Sequence, residues 1–166
     1  MRRFTMLAIC LILLACLTAT TAWAGPHFVG TPTGTLNASG DYVASFKEAG
    51  LGDTPITYSL AATTETFTFQ CFTKSGNTPQ GSPNSVSFSG QTTFVTITPR
   101  NGQITGSVLL TPEQDGASCQ GGGLRLFLIA VDYEGVTLTD TTDGVSVSLP
   151  SLKASGLQIG PFPSKP

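Results

Sequence analysis

Between Ile56 and Thr73, apolar side chains recur at every second position, and part-way along they change phase. Ile56, Tyr58, Leu60 and Ala62 share one parity, and Phe67, Phe69 and Cys71 share the other. Period-two alternation belongs to a strand with one face on a core. A strand that exchanges its faces must contain a bulge or a break. The stretch therefore predicts two strand segments joined by an irregularity between Ala61 and Glu65, with Cys71 facing inward beside Phe67 and Phe69. No segment sustains a helical period. Short runs of Val, Ile, Phe, Tyr and Thr instead alternate with Gly, Pro, Asn and Asp, the composition of strands joined by turns.

The same reading carries along the chain. His27 to Asn37 forms a first strand, Ala38-Ser39-Gly40 turns it, and Tyr42 to Lys47 returns beside it. Lys74 to Asn84 reads as a loop, followed by strands at Ser85 to Ser89 and Thr92 to Thr98. Asn101-Gly102 is the strongest turn signal, because a tight hairpin needs positive φ at both positions. Ile104, Gly106, Val108 and Leu110 carry the return strand. After a loop from Pro112 to Ser118, Leu124 to Tyr133 is nearly all apolar and reads as a central strand. Val136 to Thr139 and Val145 to Leu149 form a hairpin across Asp143-Gly144. The expected fold is all-β, an antiparallel two-sheet sandwich of immunoglobulin-like or jelly-roll type over residues 25–150, with a closed barrel as the alternative. Residues 151–166 lack a pattern and read as a flexible C-terminal tail.

Arg2 and Arg3 precede an apolar run from Phe4 to Leu17, and Ala22-Trp23-Ala24 offers small residues around a larger one. That order is a cleavable signal peptide over residues 1–24. The run is shorter than the about 20 residues a bilayer-spanning helix needs. Leu13-Leu14-Ala15-Cys16 gives an alternative, lipid attachment at Cys16. The only tryptophan, Trp23, leaves with the signal, so an immunoglobulin-type core tryptophan is missing from the remainder. Removal of 1–24 also leaves Cys71 and Cys119 as the only cysteines, and an isolated pair in an oxidising compartment forms a disulfide.

Beyond residue 24 there are six basic and ten acidic side chains, a net charge of −4. Such a surface repels phosphate backbones, which excludes nucleic acid as the expected partner. No basic amphipathic helix is present for a membrane surface. Serine catalysis needs a base, and His27 is the only histidine, with no Gly-x-Ser-x-Gly elbow in the chain. Gly25-Pro26-His27 resembles an amino-terminal copper site but lacks the second amide N–H, because Pro26 has none. No cofactor motif appears. Asp132, Glu134, Asp140 and Asp143 supply carboxylates for glycoside hydrolysis or calcium binding, although Asp140 and Asp143 bracket a turn and read as solvated loop ends. Thr66-Phe67-Thr68, Thr96-Ile97-Thr98 and Thr137-Leu138-Thr139 place threonines along one face of their strands, which β-branching alone explains.

Three segments carry a resemblance: Phe46-Lys47-Glu48-Ala49-Gly50-Leu51-Gly52, Gly76-Asn77-Thr78-Pro79-Gln80-Gly81 after Cys71, and Asp140-Thr141-Thr142-Asp143-Gly144 running on to Pro150. Together they resemble small secreted β-sandwich proteins of soil bacteria. The resemblance implies a bacterial source and export, and it assigns no activity and no functional residues. The expected function is a non-catalytic secreted or cell-surface binding module. Its partner is an extracellular ligand or cell-surface component, and its contacts lie in the loops Lys74 to Asn84 and Pro112 to Gly123. Asn77, Gln80, Asn84 and Gln120 are the candidate contact residues. The alternative is a glycoside hydrolase-like or carbohydrate-binding protein using the acidic residues between 132 and 143.

Overall fold

The computed structural model describes residues 25–114 and 116–162. The expected signal peptide with its expected cleavage site, Cys16 and the last four residues lie outside the described residues. Twelve strands and no helix occur among those described: β1 (His27–Phe28), β2 (Thr33–Leu36), β3 (Tyr42–Ala49), β4 (Ile56–Ala61), β5 (Thr64–Thr73), β6 (Pro79–Ser89), β7 (Thr92–Ile97), β8 (Gln103–Leu110), β9 (Leu124–Glu134), β10 (Thr137–Asp140), β11 (Val145–Ser148) and β12 (Leu152–Phe162). Every strand pair is antiparallel.

Three sheets result. In the first, β3 pairs with β1 and β2 along one edge and with β8 along the other. The second has the order β11-β10-β4-β7 and the third the order β12-β9-β5-β6. Each strand of the second sheet adjoins in sequence the strand in the same place in the third. Ala61 faces Thr92 and Thr64 faces Ser89, so the pairing register passes through residues 62–63 unchanged. The same holds where Thr137 faces Ala61 and Glu134 faces Thr64.

Backbone hydrogen bonds bridge the corner: Ala62 N donates to Gln91 O at 3.1 Å and Thr63 N to Glu134 O at 2.9 Å. At this line each strand turns two successive residues outward: Thr63-Thr64, Ser89-Gly90, Glu134-Gly135 and Pro150-Ser151. The phase change between Ala61 and Glu65 is therefore one quarter of a bend that all four strands make side by side. Gly135 has φ +61°, and a Cβ there would overlap Thr63 Oγ1, so the bend requires glycine at this position.

The first sheet covers the inside of this corner. Phe46 packs against Tyr58 of β4 with ring centroids 4.4 Å apart, and Tyr42 packs against Tyr133 of β9 at 5.5 Å. Tyr42 Oη donates to Pro150 O at 2.8 Å, directly at the bend. The core continues through Leu60, Phe67, Phe69, Leu128, Val131 and Leu138, all nearly inaccessible. Burial of such side chains contributes about 1.5–3 kcal/mol each.

Several expectations change. The first strand is divided into β1 and β2, with Gly30 at φ +72° between them. Residues 79–84 are not loop but the first half of β6, which accommodates Pro79 and Pro83 because it is an edge strand. The segment 151–162 is not a free tail. Leu152–Phe162 is β12, paired with β9 through two irregularities, and those irregularities remove the alternation by which a strand is recognised. Among the described residues the hydrogen-bonded ladders end at β8, at β6/β7, at β11/β12 and on the β1/β2 side of β3. The Asn101-Gly102 turn has φ +52° and +69°, as its sequence requires, and β9 is central in its sheet.

Candidate functional site

The disulfide gathers one end of the molecule. Cys71 near the end of β5 is bonded to Cys119, with Cα atoms 5.7 Å apart. Both half-cystines are half-buried and pack on the core. Just before Cys71 the ladder slips: β5 shifts register against β9 between Thr68 and Phe69, and against β6 between Phe69 and Cys71. This bulge turns Phe69 and Gln70 inward in succession. The buried Gln70 amide then donates through Nε2 to Gln80 O at 2.9 Å and Gly81 O at 3.0 Å, satisfying carbonyls that the slip removes from the ladder.

Two loops and a strand end meet here. In the 74–78 loop, Gly76 N donates to Thr73 O at 2.7 Å, and Gly76 O accepts from Gln158 of β12. The described residues of segment 111–123 contain no strand. The segment is pinned by the buried Pro112 and Ala117, by a turn in which Ala117 N donates to Gln114 O at 2.9 Å, and by the disulfide. From the other side, Phe162 of β12 stacks edge-on against Phe69 at 5.4 Å.

Between these parts lies a cavity of about 510 Å³, lined by Ser118, Cys119, the Gly121-Gly122-Gly123 backbone, Arg125 and Phe162 among others. Gly121 and Gly123 have φ of +114° and +92°, which side chains rarely adopt, so the backbone itself forms this wall. Arg125 is exposed, and its register partner is Phe72. Lys74 is exposed one residue past the end of β5, whose Thr73 pairs with Leu124. Two cations thus stand at this strand end. Peptide groups, a hydroxyl and a guanidinium can hold a polar ligand by hydrogen bonds, and Arg125 favours one with anionic oxygens.

The disulfide brings segment 112–123 to β5, as the sequence implies. Asn77 sits in the 74–78 loop, Gln80 and Asn84 are on β6, and Gln120 lies between Cys119 and Gly121. All four are exposed, and none lines the cavity. Arg125, Pro161 and Phe162 have no site signature in the sequence: Arg125 lies in the apolar run 124–133, and the other two lie in the segment that lacks a pattern.

The acidic residues divide. Asp132 faces Lys153 across β9 and β12 and lines a hollow of about 340 Å³ with Thr66, Thr68 and Ser155, while Glu134 is exposed at the bend. Asp140 is not a solvated loop end. It is fully buried, with Oδ1 accepting from the amides of Thr142 at 2.7 Å and Asp143 at 3.0 Å, because it ends β10 on the inward parity of Leu138. Asp143 is exposed, and partial desolvation followed by the neighbouring Asp140 raises its pKa.

Two further acids are inside the molecule. Glu48 follows Tyr42, Ala44 and Phe46 on the inward face of β3, and its Oε2 accepts from Tyr58 Oη at 2.7 Å. Burial pushes both groups up, with the hydrogen bond lowering Glu48 again in part. Glu65 shares the inward parity of Phe67 and Phe69, and burial, then the charge of Glu113, pushes it up to about 7. Glu48 Oε1, Glu65 Oε1 and Asp140 Oδ2 are buried without a hydrogen-bond partner. Among the described residues, no group of three or more His, Cys, Asp or Glu is placed to hold a metal ion. His27 lies in β1, exposed, with Nδ1 2.7 Å from Gly25 O. No described helix is long and apolar enough to cross a membrane.

Against known proteins, no family model matches the chain, and no curated protein matches it significantly.

Proposed function

We propose that this chain is an exported binding module, a two-layer β-sandwich of the immunoglobulin-like or jelly-roll kind, that holds a polar, neutral or anionic extracellular ligand at its disulfide end. The observation that carries this reading is the cavity of about 510 Å³ whose wall is the Gly121–Gly123 backbone, with Arg125 beside it and the Cys71–Cys119 bond fixing the loop. A rigid sheet with a covalently anchored loop is pre-organised, which lowers the entropy lost on binding. The two-layer description is supported by the continuous register of the second and third sheets and by the first sheet packing into their corner. Export is supported by Arg2-Arg3, the apolar run and Ala22-Trp23-Ala24, and by a disulfide of the kind that oxidising compartments maintain. Kinship with small secreted proteins of soil bacteria belongs to the same reading.

The test is binding of the oxidised protein to immobilised polygalacturonate, alginate and dextran, with Arg125→Ala and Gly122→Val as variants. Retention on the acidic polymers, weakened about tenfold or more by either change, is expected. Retention that neither change alters would place the contact elsewhere. The second reading, a carbohydrate-binding or hydrolytic role for the acidic residues, is favoured by Asp132 lining its own hollow with Thr66, Thr68 and Lys153. It requires Asp132→Asn to abolish retention or turnover while Arg125→Ala does not.

A further inference from the structure

We infer that β6 is a docking edge for a second copy of this chain, joined by antiparallel self-pairing centred on Ser87. From Ser75 to Pro99 the sequence contains no charged residue, and β6 within that stretch is the edge strand of its sheet, paired only with β5 among the described residues. Proteins ordinarily guard such edges with charge, above all lysine. Pro79 and Pro83 protect only the first half of β6. From Asn84 to Ser89 the backbone is free of proline and exposed along one side.

The chemistry of this half-strand suits its own copy. A two-fold interface sets each residue against itself or its symmetry mate, so any charge on the strand would meet its like; none is present. With Ser87 on the axis, Ser87 faces its copy, Val86 faces Phe88 and Ser85 faces Ser89, every pair on a common face of the joined sheet. Ser85 and Ser87 already end hydroxyl rungs that start at Thr68 and Thr66, at 2.9 and 3.0 Å. Self-pairing extends those rungs across the axis. On the inner face Val86 and Phe88 are only half-buried at the margin of the core, Phe88 packing on Phe67 with centroids 5.8 Å apart, and the partner's copies cover them. Pro83 and the bend at Gly90 confine the contact to about six residues per chain. The interface is thus smaller than the roughly 1,200 Å² typical of stable complexes, and the dimer is reversible.

Sedimentation equilibrium of the purified oxidised protein from roughly 10 μM to 1 mM, the range in which a small interface associates, tests the inference. A monomer–dimer equilibrium that Ser87→Lys abolishes and Ser146→Lys leaves unchanged is expected. In a second arm, Ser87→Cys forms a covalent dimer on mild oxidation and Ser146→Cys does not, because antiparallel partners bring their Cα atoms within disulfide reach. The second arm decides the matter if the lysine variant fails to fold. A monomer throughout the range, a dimer indifferent to Ser87→Lys, or open-ended growth to larger species would each overturn the inference.

Discussion

Tyr133 Oη donates to the carbonyl of Gly40 at 2.9 Å, joining the middle of the long bent sheet to the turn that opens β3. The same hydroxyl lies 3.3 Å from Leu110 O, and because Tyr42 pairs with Leu110, both carbonyls belong to one end of the β3·β8 pair. Gly40, at φ +80°, approaches so closely that a Cβ would lie 3.2 Å from Leu128 Cδ2. Tyr133→Phe keeps the ring and leaves the Gly40 carbonyl without its donor. A loss of about 1–2 kcal/mol in urea unfolding is expected; an unchanged midpoint and slope would show that the hydroxyl is dispensable.

The buried acids set the direction of pH dependence. Glu65 titrates near 7 in the folded protein and near 4.5 in its reference state, so the folded form binds more protons between those values. Stability therefore falls as pH rises from about 4.5 to 7 and levels above, by about 3 kcal/mol for this group. Glu65→Gln, compared with the wild type in urea at pH 5 and pH 8, flattens that slope. Some slope of the same sign persists, because burial also raises Glu48. Equal slopes in variant and wild type would contradict the assignment.

Reduction of Cys71–Cys119 opens a link across 48 positions. The chain-entropy relation gives about 4 kcal/mol for a loop of that size. Cys71→Ser with Cys119→Ser lowers unfolding stability by that order and releases segment 111–123, which amide exchange reads as lost protection there. Full protection in the double variant would mean that Pro112 and Ala117 alone hold the segment.

Deleting residues 151–166 removes β12, which covers one edge of β9 and supplies Phe162 to Phe69. The truncated chain is expected to lose cooperative unfolding or to expose hydrophobic surface to dye. A truncated protein with wild-type stability would restore the tail to the role its sequence suggests.

Much of the fold is legible because parity is a physical signal. The phase change in 56–71 locates the bend, and Asn101-Gly102 and Asp143-Gly144 locate their turns. The same parity, followed through Glu48 and Glu65, would have placed both acids in the core; their charge argued against it, and charge is a weaker guide than position within an alternating run. The register-slipped strands are illegible for the opposite reason. Bulges in β12, and prolines in a β6 exposed along its first seven residues, erase the pattern on which recognition depends. The cavity at the disulfide is built from a glycine wall and from residues far apart in sequence, so its lining has no local signature.

The most direct test of the binding account is chemical-shift mapping of nitrogen-15-labelled, oxidised protein titrated with oligogalacturonate. The predicted result is a set of saturable shifts confined to Ser118–Arg125, Lys74 and the end of β12, lost on reduction of the disulfide. Shifts centred instead on Thr66, Asp132 and Lys153, or their survival unchanged after reduction, would contradict it.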